Sequence, residues 1–543
     1  MECFLTYDRK TFFSDLVAGV TVGLVALPLA MAFAISSGLT PQAGIYCAII
    51  TGFLISALGG SRTQIGGPTG AFVVVVSGIV AKYGLHGLFL CTLMAGMMLV
   101  LLGITGLGTA VDYIPRPVVI GFTNGIALLI ASTQIKDFLG LTPATNPGEF
   151  FARMETLVEA IPTASFAAAA LGAGSLAAVL LTGRITKRVP GQIVALMGGT
   201  CLAYFLQLHV DTIGTKFGGI PQGLPEFHWQ KLTMGEIVSL ISPAVTVAML
   251  GAIESLMSAV VADRMSGDSH NPNVELIAQG IANIASPLFG GLPATGAIAR
   301  TATNIRAGAK TPVAGMIHAA TLLAIVVAAA PLAQYIPLSV LAAILFVVAW
   351  NMGEWREIPE LLKLTKTDIS VWLLTFTLTV VADLTLAVEV GMILAALLYI
   401  RRVTLTTTVS EVTPEYIEEG WAHILQGKEY PEDTRVFRIH GPFLFGATDK
   451  LDVITGQLEA LPKIVILRLR NMTAIDATGL KAVEDLADSL HESGRHLILC
   501  GARDQPAAFM KRAEFEEHVG ANNICEHVEE ALRRAAEIGG AAS

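Results

Sequence analysis

Charge is scarce in this chain. Only 15% of its 543 residues are Asp, Glu, Lys or Arg, against about a quarter in an ordinary soluble protein. With 53% hydrophobic residues and a mean hydropathy of +0.63, that deficit excludes a polypeptide dissolved in water along its whole length. Cysteine is equally thin. Cys3, Cys47, Cys91, Cys201, Cys500 and Cys525 lie scattered, with no C-x-x-C or Cys/His spacing, which excludes a disulfide framework or a zinc site. No basic cluster accompanies the net charge of -9, so no nucleic-acid partner is indicated. Nor does the chain show a nucleophile–base pairing or a metal cluster, so an enzyme is not expected and no cofactor is implied. Nor is a cleavable leader expected: Asp8, Arg9 and Lys10 run into a long apolar stretch without a small-residue cleavage pattern, and the first helix is expected to stay.

What is present is apolar sequence in membrane-sized pieces. Uncharged runs of about 20 residues, the length that spans a bilayer as a helix, recur from Leu16 to Ile400. They predict about fourteen crossings, with short spans over 68–80 and 295–304. Arg62, Arg116, Arg184, Arg264, Arg306, Arg356 and Arg401 fall on the same side as Arg9 and Lys10, and this positive-inside bias places both termini in the cytoplasm. After Arg401 charge returns and apolar stretches shorten. We expect a transmembrane domain over 1–403, a linker over 404–433 and a cytoplasmic domain over 434–543. In the last, strands over 434–441, 461–470 and 495–501 alternate with helices over 478–493 and 525–537, which predicts a small sheet covered by helices.

Two distant segments share one pattern. "GGPTGAF" (66–72) and "GGLPATGAIA" (290–299) each carry a glycine pair, a proline, then Thr-Gly-Ala opening a short apolar stretch. Such duplicated, Gly/Pro-interrupted spans point to a transporter binding site. Proline stops any helix arriving from upstream, and glycine permits an extended approach. A helix starting inside the membrane leaves its first N–H groups unpaired, and with the helix dipole they attract negative charge. The plainer alternative is that the breaks only kink packed helices, which one segment would fit better than two matching ones.

Charged residues within the spans are few. Glu254, in "TVAMLGAIESLMSAVV", lies deep in an apolar helix, and Ser258 is one turn on. A carboxylate with a nearby hydroxyl suits a transferable proton or a sodium ion; a static ion pair or a permanently protonated group is the alternative. Arg300 has three readings: raising the potential of an anion site, pairing with Glu254, or marking the cytoplasmic end. Asp15, Asp383 and Glu389 sit at predicted span edges, where solvation explains them. His318 reads as a satisfied packing residue before it reads as a proton relay, and Phe33 as a lipid-facing or core side chain.

Over essentially its whole length the chain resembles a bacterial member of the sulfate permease (SulP) family, also called solute carrier family 26. The residues carrying the resemblance are 15–46, 59–72, 121–140, the long block 250–315 beginning "LGAIESLMSAVVADRMSGDSHNP", and "IDATGLKAVEDL" (475–486). The resemblance implies an all-α polytopic domain of fourteen helices in two inverted seven-helix repeats, core and gate. It also implies a C-terminal α/β STAS domain and a homodimer in the inner membrane. It further implies an anion held between the N-termini of the third and tenth helices, at Thr69, Gly70 and Ala71 and at Gly296, Ala297 and Ile298. Phe33 matches an aromatic residue lining that site, Arg300 an arginine supplying positive potential, and Glu254 and Ser258 the positions that bind Na+ or carry coupling H+. Leu29 departs from the polar glutamine of animal relatives, so that contact is missing.

The leading expectation is therefore secondary active transport of a small anion by alternating access, with symport of H+ or Na+. "GAIES", "ATGAIAR" and "VAWNM" (348–352) resemble the C4-dicarboxylate branch most, with succinate or fumarate as cargo; sulfate and bicarbonate stay open. The alternatives are an uncoupled channel or exchanger, and a signalling protein worked by its tail through a cytoplasmic partner. In the tail, Thr478 stands where related anti-sigma antagonists carry a phosphorylatable serine; a structural N-cap from Asp476 or Thr478 is the other reading.

Overall fold

The computed structural model describes residues 7–106, 108, 115–145, 147, 149–185, 190–220, 227, 229, 234–382, 384–412 and 433–540. It divides into two compact units at Ala395/Ala396, inside a helix and a few residues before the boundary expected from charge.

The first unit is helical. Its N-terminal part comprises α1 (Arg9–Ser36), α2 (Pro41–Leu58), the two-residue strand β1 (Gly66–Gly67) and α3 (Gly70–Ile104). There follow α4 (Arg116–Leu139), α5 (Phe166–Ile185) and α6 (Gly191–Phe205). The second half repeats the interruption with α7 (Met234–Ser266), α8 (Pro272–Leu288), the strand β2 (Thr295–Gly296), α9 (Ile298–Arg306) and α10 (Val313–Ala333). It ends with α11 (Leu338–Met352), α12 (Lys366–Val381) and α13 (Leu384–Thr406). Local sequence sets the ends: the Asp8 carboxylate caps α1 by accepting from the Thr11 amide, and prolines open α2, α4 and α8, where their missing N–H costs nothing.

Among the described residues, seven helices are long and apolar enough to cross a membrane, and α6 and α11 are shorter apolar helices. The expected spans 68–80 and 86–104 form one element, α3, kinked where Gly84 takes φ 71°, a left-handed value that glycine tolerates. The short helix Phe150–Glu159 was not expected.

The helices sort into two groups. In one, α3 packs on α7 and α8, α10 on α1 and α2, and α9 on α1 and α7; in the other, α4 packs on α11 and α12, and α11 on α5 and α6. Backbones in the first group approach closely. A Cβ on Gly96 of α3 would stand 2.7 Å from the Gly280 carbonyl of α8, and one on Gly280 would stand 2.6 Å from the Gly96 carbonyl. Small residues are what permit such crossings between membrane helices.

The second unit holds a five-stranded sheet in the order β3 (Thr408–Glu411), β4 (Thr434–Phe443), β5 (Ile464–Ile475), β6 (His496–Cys500) and β7 (Ile524–Cys525). The β3–β4 pair is antiparallel and the rest are parallel. Helix α14 (Ala477–Glu492) buries Leu480, Val483, Leu486 and Leu490 with Phe437 and Leu467 of the sheet. The last helix, α15 (Val528–Gly540), buries Val528, Ala531 and Leu532 with Val436, Ile466 and Ile498. A helix therefore packs with each set of alternating strand residues. Two expectations shift: β3 falls within the expected linker, and Cys525 ends a strand rather than opening the last helix.

Candidate functional site

The two interrupted segments meet. Strands β1 and β2 pair antiparallel, with Gly66 opposite Gly296 and Gly67 opposite Thr295, and the Ala297 amide donates to the Ile65 carbonyl at 2.8 Å. Two glycines make the crossing possible. A Cβ on Gly296 would stand 1.6 Å from Gln64 Nε2, and one on Gly66 would stand 2.2 Å from Ile55 Cδ1. Each chain then turns into a helix, α3 at Gly70 and α9 at Ile298. Two helix N-termini, each with amides left over by helix geometry, thus start beside one small ribbon.

Neither start is capped by its own residue. Thr69 and Ala297 take the cap positions without a side-chain cap bond. The Thr69 hydroxyl instead donates to the Glu254 carboxylate of α7 at 2.8 Å. Glu254 is half-buried, so it is reachable from outside the protein core. Ser258, although one turn away, is fully buried and lies 3.2 Å from Thr301 Oγ1. Thr301 Oγ1 in turn accepts the Ile65 amide at 3.0 Å. Glu254 therefore has Thr69 rather than Ser258 as its hydroxyl partner.

Arg300 is buried at 2% exposure. Its Nη2 donates to the Pro68 carbonyl, and its Nη1 has no partner beside Gly67. Arg300 makes no direct ion-pair contact with Glu254 among the described residues, although the two charges interact electrostatically, and the residue lies in the interior rather than at a solvated helix end. Phe33 is 3% exposed, and its ring borders Gly70 together with Ile130 and Met352. Ala71 is buried, while Ile298 is 37% exposed, an opening at the start of α9.

Three expectations about other polar residues change. Asp15 is not a solvated edge residue but is fully buried. It accepts from the Lys310 and Thr311 amides at 2.8 and 3.3 Å and from Thr311 Oγ1 at 2.5 Å, fastening the turn that follows α9. Asp15→Ala strands these donors, each costing about 1–3 kcal/mol; the purified protein is expected to melt well below the parent in a thermal-shift assay. His318 is fully buried, but among the described residues neither ring nitrogen has a hydrogen-bond partner, so the expected satisfied packing role is not what those residues show. Asp383 and the side chain of Glu389 lie outside the described residues. In the second unit Asp476 caps α14, accepting from the Gly479 amide at 2.7 Å, and leaves Thr478 exposed.

Sequence reasoning missed Glu275. Near the start of α8, it is fully buried and accepts the Gly60 and Ser61 amides ahead of β1. Its signal was a lone carboxylate just inside an apolar helix, read only as part of a longer matching block.

Helical bundles joined by a crossed pair of broken segments, with seven described helices long and apolar enough to cross a membrane, fit a multi-pass membrane transporter. The comparisons agree. Residues 12–375 match the sulfate permease family and residues 428–531 the STAS domain. The chain belongs to the sulfate permease family, and it is an anion transporter, not an enzyme. It is 39% identical to YvdB of Bacillus subtilis, named for sulfate transport, over 97% of this chain and 98% of that one. The solved transmembrane domain of a cyanobacterial bicarbonate transporter, BicA, is 31% identical with a TM-score of 0.64, over 72% of this chain and 98% of that one. Murine solute carrier 26 member A9, an anion transporter, shares the fold at 17% identity with a TM-score of 0.86, over 98% of this chain and 92% of that one.

Proposed function

We propose that the protein carries a small anion across the inner membrane by alternating access, held between the N-termini of α3 and α9. The observation that carries this is the pairing of Gly66 with Gly296 and Gly67 with Thr295. Amides of Gly70 and Ala71 on one side, and of Ile298 on the other, supply partial positive charge without a lysine, while Ala297 lines the site with its own amide committed to the Ile65 carbonyl. Arg300 adds to the potential from behind the ribbon. Phe33 gives the pocket an apolar wall. Gly296 lets the second segment pass Gln64.

Backbone dipoles read charge more than shape, so the site suits sulfate or bicarbonate, the anions for which YvdB and BicA are named. A second cargo class, the C4-dicarboxylates succinate and fumarate, rests on the sequence resemblance of "GAIES", "ATGAIAR" and "VAWNM" alone. Glu254 is the coupling residue in this reading. A carboxylate close to a bound anion is relieved of repulsion by H+ or Na+, which makes the protein a symporter. Ser258 acts through Thr301 in holding Ile65, or joins the ion when it arrives. Both termini and the STAS domain face the cytoplasm, the protein works as a homodimer, and Thr478 is a phosphorylation point open to a cytoplasmic partner.

Uptake into proteoliposomes of radiolabelled sulfate, bicarbonate, succinate and fumarate, under separate proton and sodium gradients, tests the proposal. Saturable uptake of one class, driven by one gradient, is expected. Truncation after Arg402 should retain anion binding; its loss, with no uptake by the full chain, would favour a signalling protein.

A further inference from the structure

Glu275 makes more contacts than a helix start requires. Asn271 already caps α8, accepting from the Asn273 and Val274 amides. Yet all four contacts of the Glu275 carboxylate come from donors. Oε2 accepts the Gly60 amide at 3.0 Å and the Ser61 amide at 3.2 Å. Oε1 accepts Gln279 Nε2 at 2.9 Å and Ser255 Oγ at 3.3 Å. The loop is shaped for this approach: a Cβ on Gly60 would stand 2.2 Å from the Asn271 carbonyl, and one on Gly59 2.9 Å from Glu275 Oε2.

The two arms of this carboxylate lead to the two halves of the site. From Gly60 and Ser61 the chain runs through Gln64 and β1 to Thr69. Ser255 is the residue after Glu254 on α7. A further bond closes the ring, since Gln64 Nε2 donates to the Ser255 carbonyl at 2.9 Å. The same carboxylate thus holds the strand that presents Thr69 and the helix turn that presents Glu254. A loop anchor alone needs only Oε2.

We propose that Glu275 is a positioning residue that sets the contact between Thr69 and Glu254, and through it the anion affinity and the coupling. The coupling part rests on the reading of Glu254 given above; the affinity part does not. Four hydrogen bonds converging on one buried carboxylate hold the segments that supply them in place, and small displacements at a reacting or binding centre are expensive.

The test uses the full-length protein in proteoliposomes, with sulfate and bicarbonate as probes. Anion KM and gradient-driven accumulation are measured per folded protein, scored by size-exclusion chromatography. Glu275→Ala is expected to raise KM on the order of tenfold, the scale of losing one or two positioning hydrogen bonds, and to depress accumulation more than exchange. Glu275→Gln restores most of both: one end still accepts the loop amides, and its NH2 finds Gln279 Oε1, which has no partner now. Ser255→Ala moves KM in the same direction as Glu275→Ala, and the double variant is no worse than Glu275→Ala, because the two act along one path. A folded Glu275→Ala with parental KM and accumulation overturns the proposal. If that variant does not fold, a folded Ser255→Ala with parental values overturns it equally. A parent protein indifferent to both gradients removes the coupling role of Glu254, and KM alone then decides the role of Glu275.

Discussion

Thr69→Trp abolishes anion uptake, whereas Thr69→Ser keeps most of it. Thr69 is the cap of α3 and is 8% exposed, with extended backbone. The next residue shows how little space there is: a Cβ on Gly70 would already stand 3.1 Å from Ile130, 3.3 Å from Met352 and 3.3 Å from Phe33. An indole at position 69 has to displace this wall or fill the place where an anion would meet the amides. A misplacement of about 1 Å at such a centre costs on the order of a hundredfold in rate, and the tryptophan shift is larger. Serine keeps the hydroxyl that donates to Glu254 at 2.8 Å and loses only a methyl group. Thr69→Val, close in shape but without the donor, should fall between them. Initial uptake rates, normalised to protein incorporated, rank the three; parental rates in the tryptophan variant would show that the anion does not pass the α3 terminus.

The meeting of the two broken segments was legible because it rests on composition. Gly-Gly and Pro before Thr-Gly-Ala leave few conformations open, and the repetition of the pattern marked the two places as partners. What escaped were side chains whose partners are brought by loops. Asp15 and Glu275 both stand near helix starts, where distance from the next polar residue suggests water. Each is in fact sealed by a loop folded back to offer it amides, 310–311 for the first and 60–61 for the second. Nothing along the chain records that return. Ser258 illustrates a finer limit: helical period puts it on the face of Glu254, but the hydroxyl turns to Thr301 on another helix. In the second unit the strand 408–411 was hidden in polar, threonine-rich sequence, since an edge strand paired on one side only carries little apolar signal.

These anchored loops bear on function because they flank the half-helices. Asp15 holds the turn leaving α9, and Glu275 holds the loop entering β1. The α9 segment is thus fastened beyond its C-terminal end, away from the amides it presents, and the α3 segment in the loop that leads to its N-terminus. A rigid pair of termini suits a carrier whose bound anion moves with the helix group that holds it, since the cradle need not be rebuilt on either side of the membrane.

Glu254→Gln is expected to abolish gradient-driven accumulation while sparing exchange of anion for anion. The substitution is nearly isosteric, and the amide oxygen still accepts from Thr69, so the cap and the α3 terminus stay in place. Only the charge and its ability to take a proton or a hard cation are lost. In the proposed symport, a carboxylate near the anion favours loading of H+ or Na+ together with cargo, because the empty carboxylate and the bound anion would repel each other. In the variant that repulsion is permanently absent, so the anion binds and crosses without the cation. Accumulation should therefore drop to the equilibrium level under either gradient, while counterflow of labelled anion against unlabelled anion continues. Anion affinity without a gradient should be equal to or better than the parent's, which separates loss of coupling from loss of the site. Normal accumulation by the glutamine variant would instead locate the driving ion elsewhere, and uptake in the parent that follows only one of the two gradients names the ion.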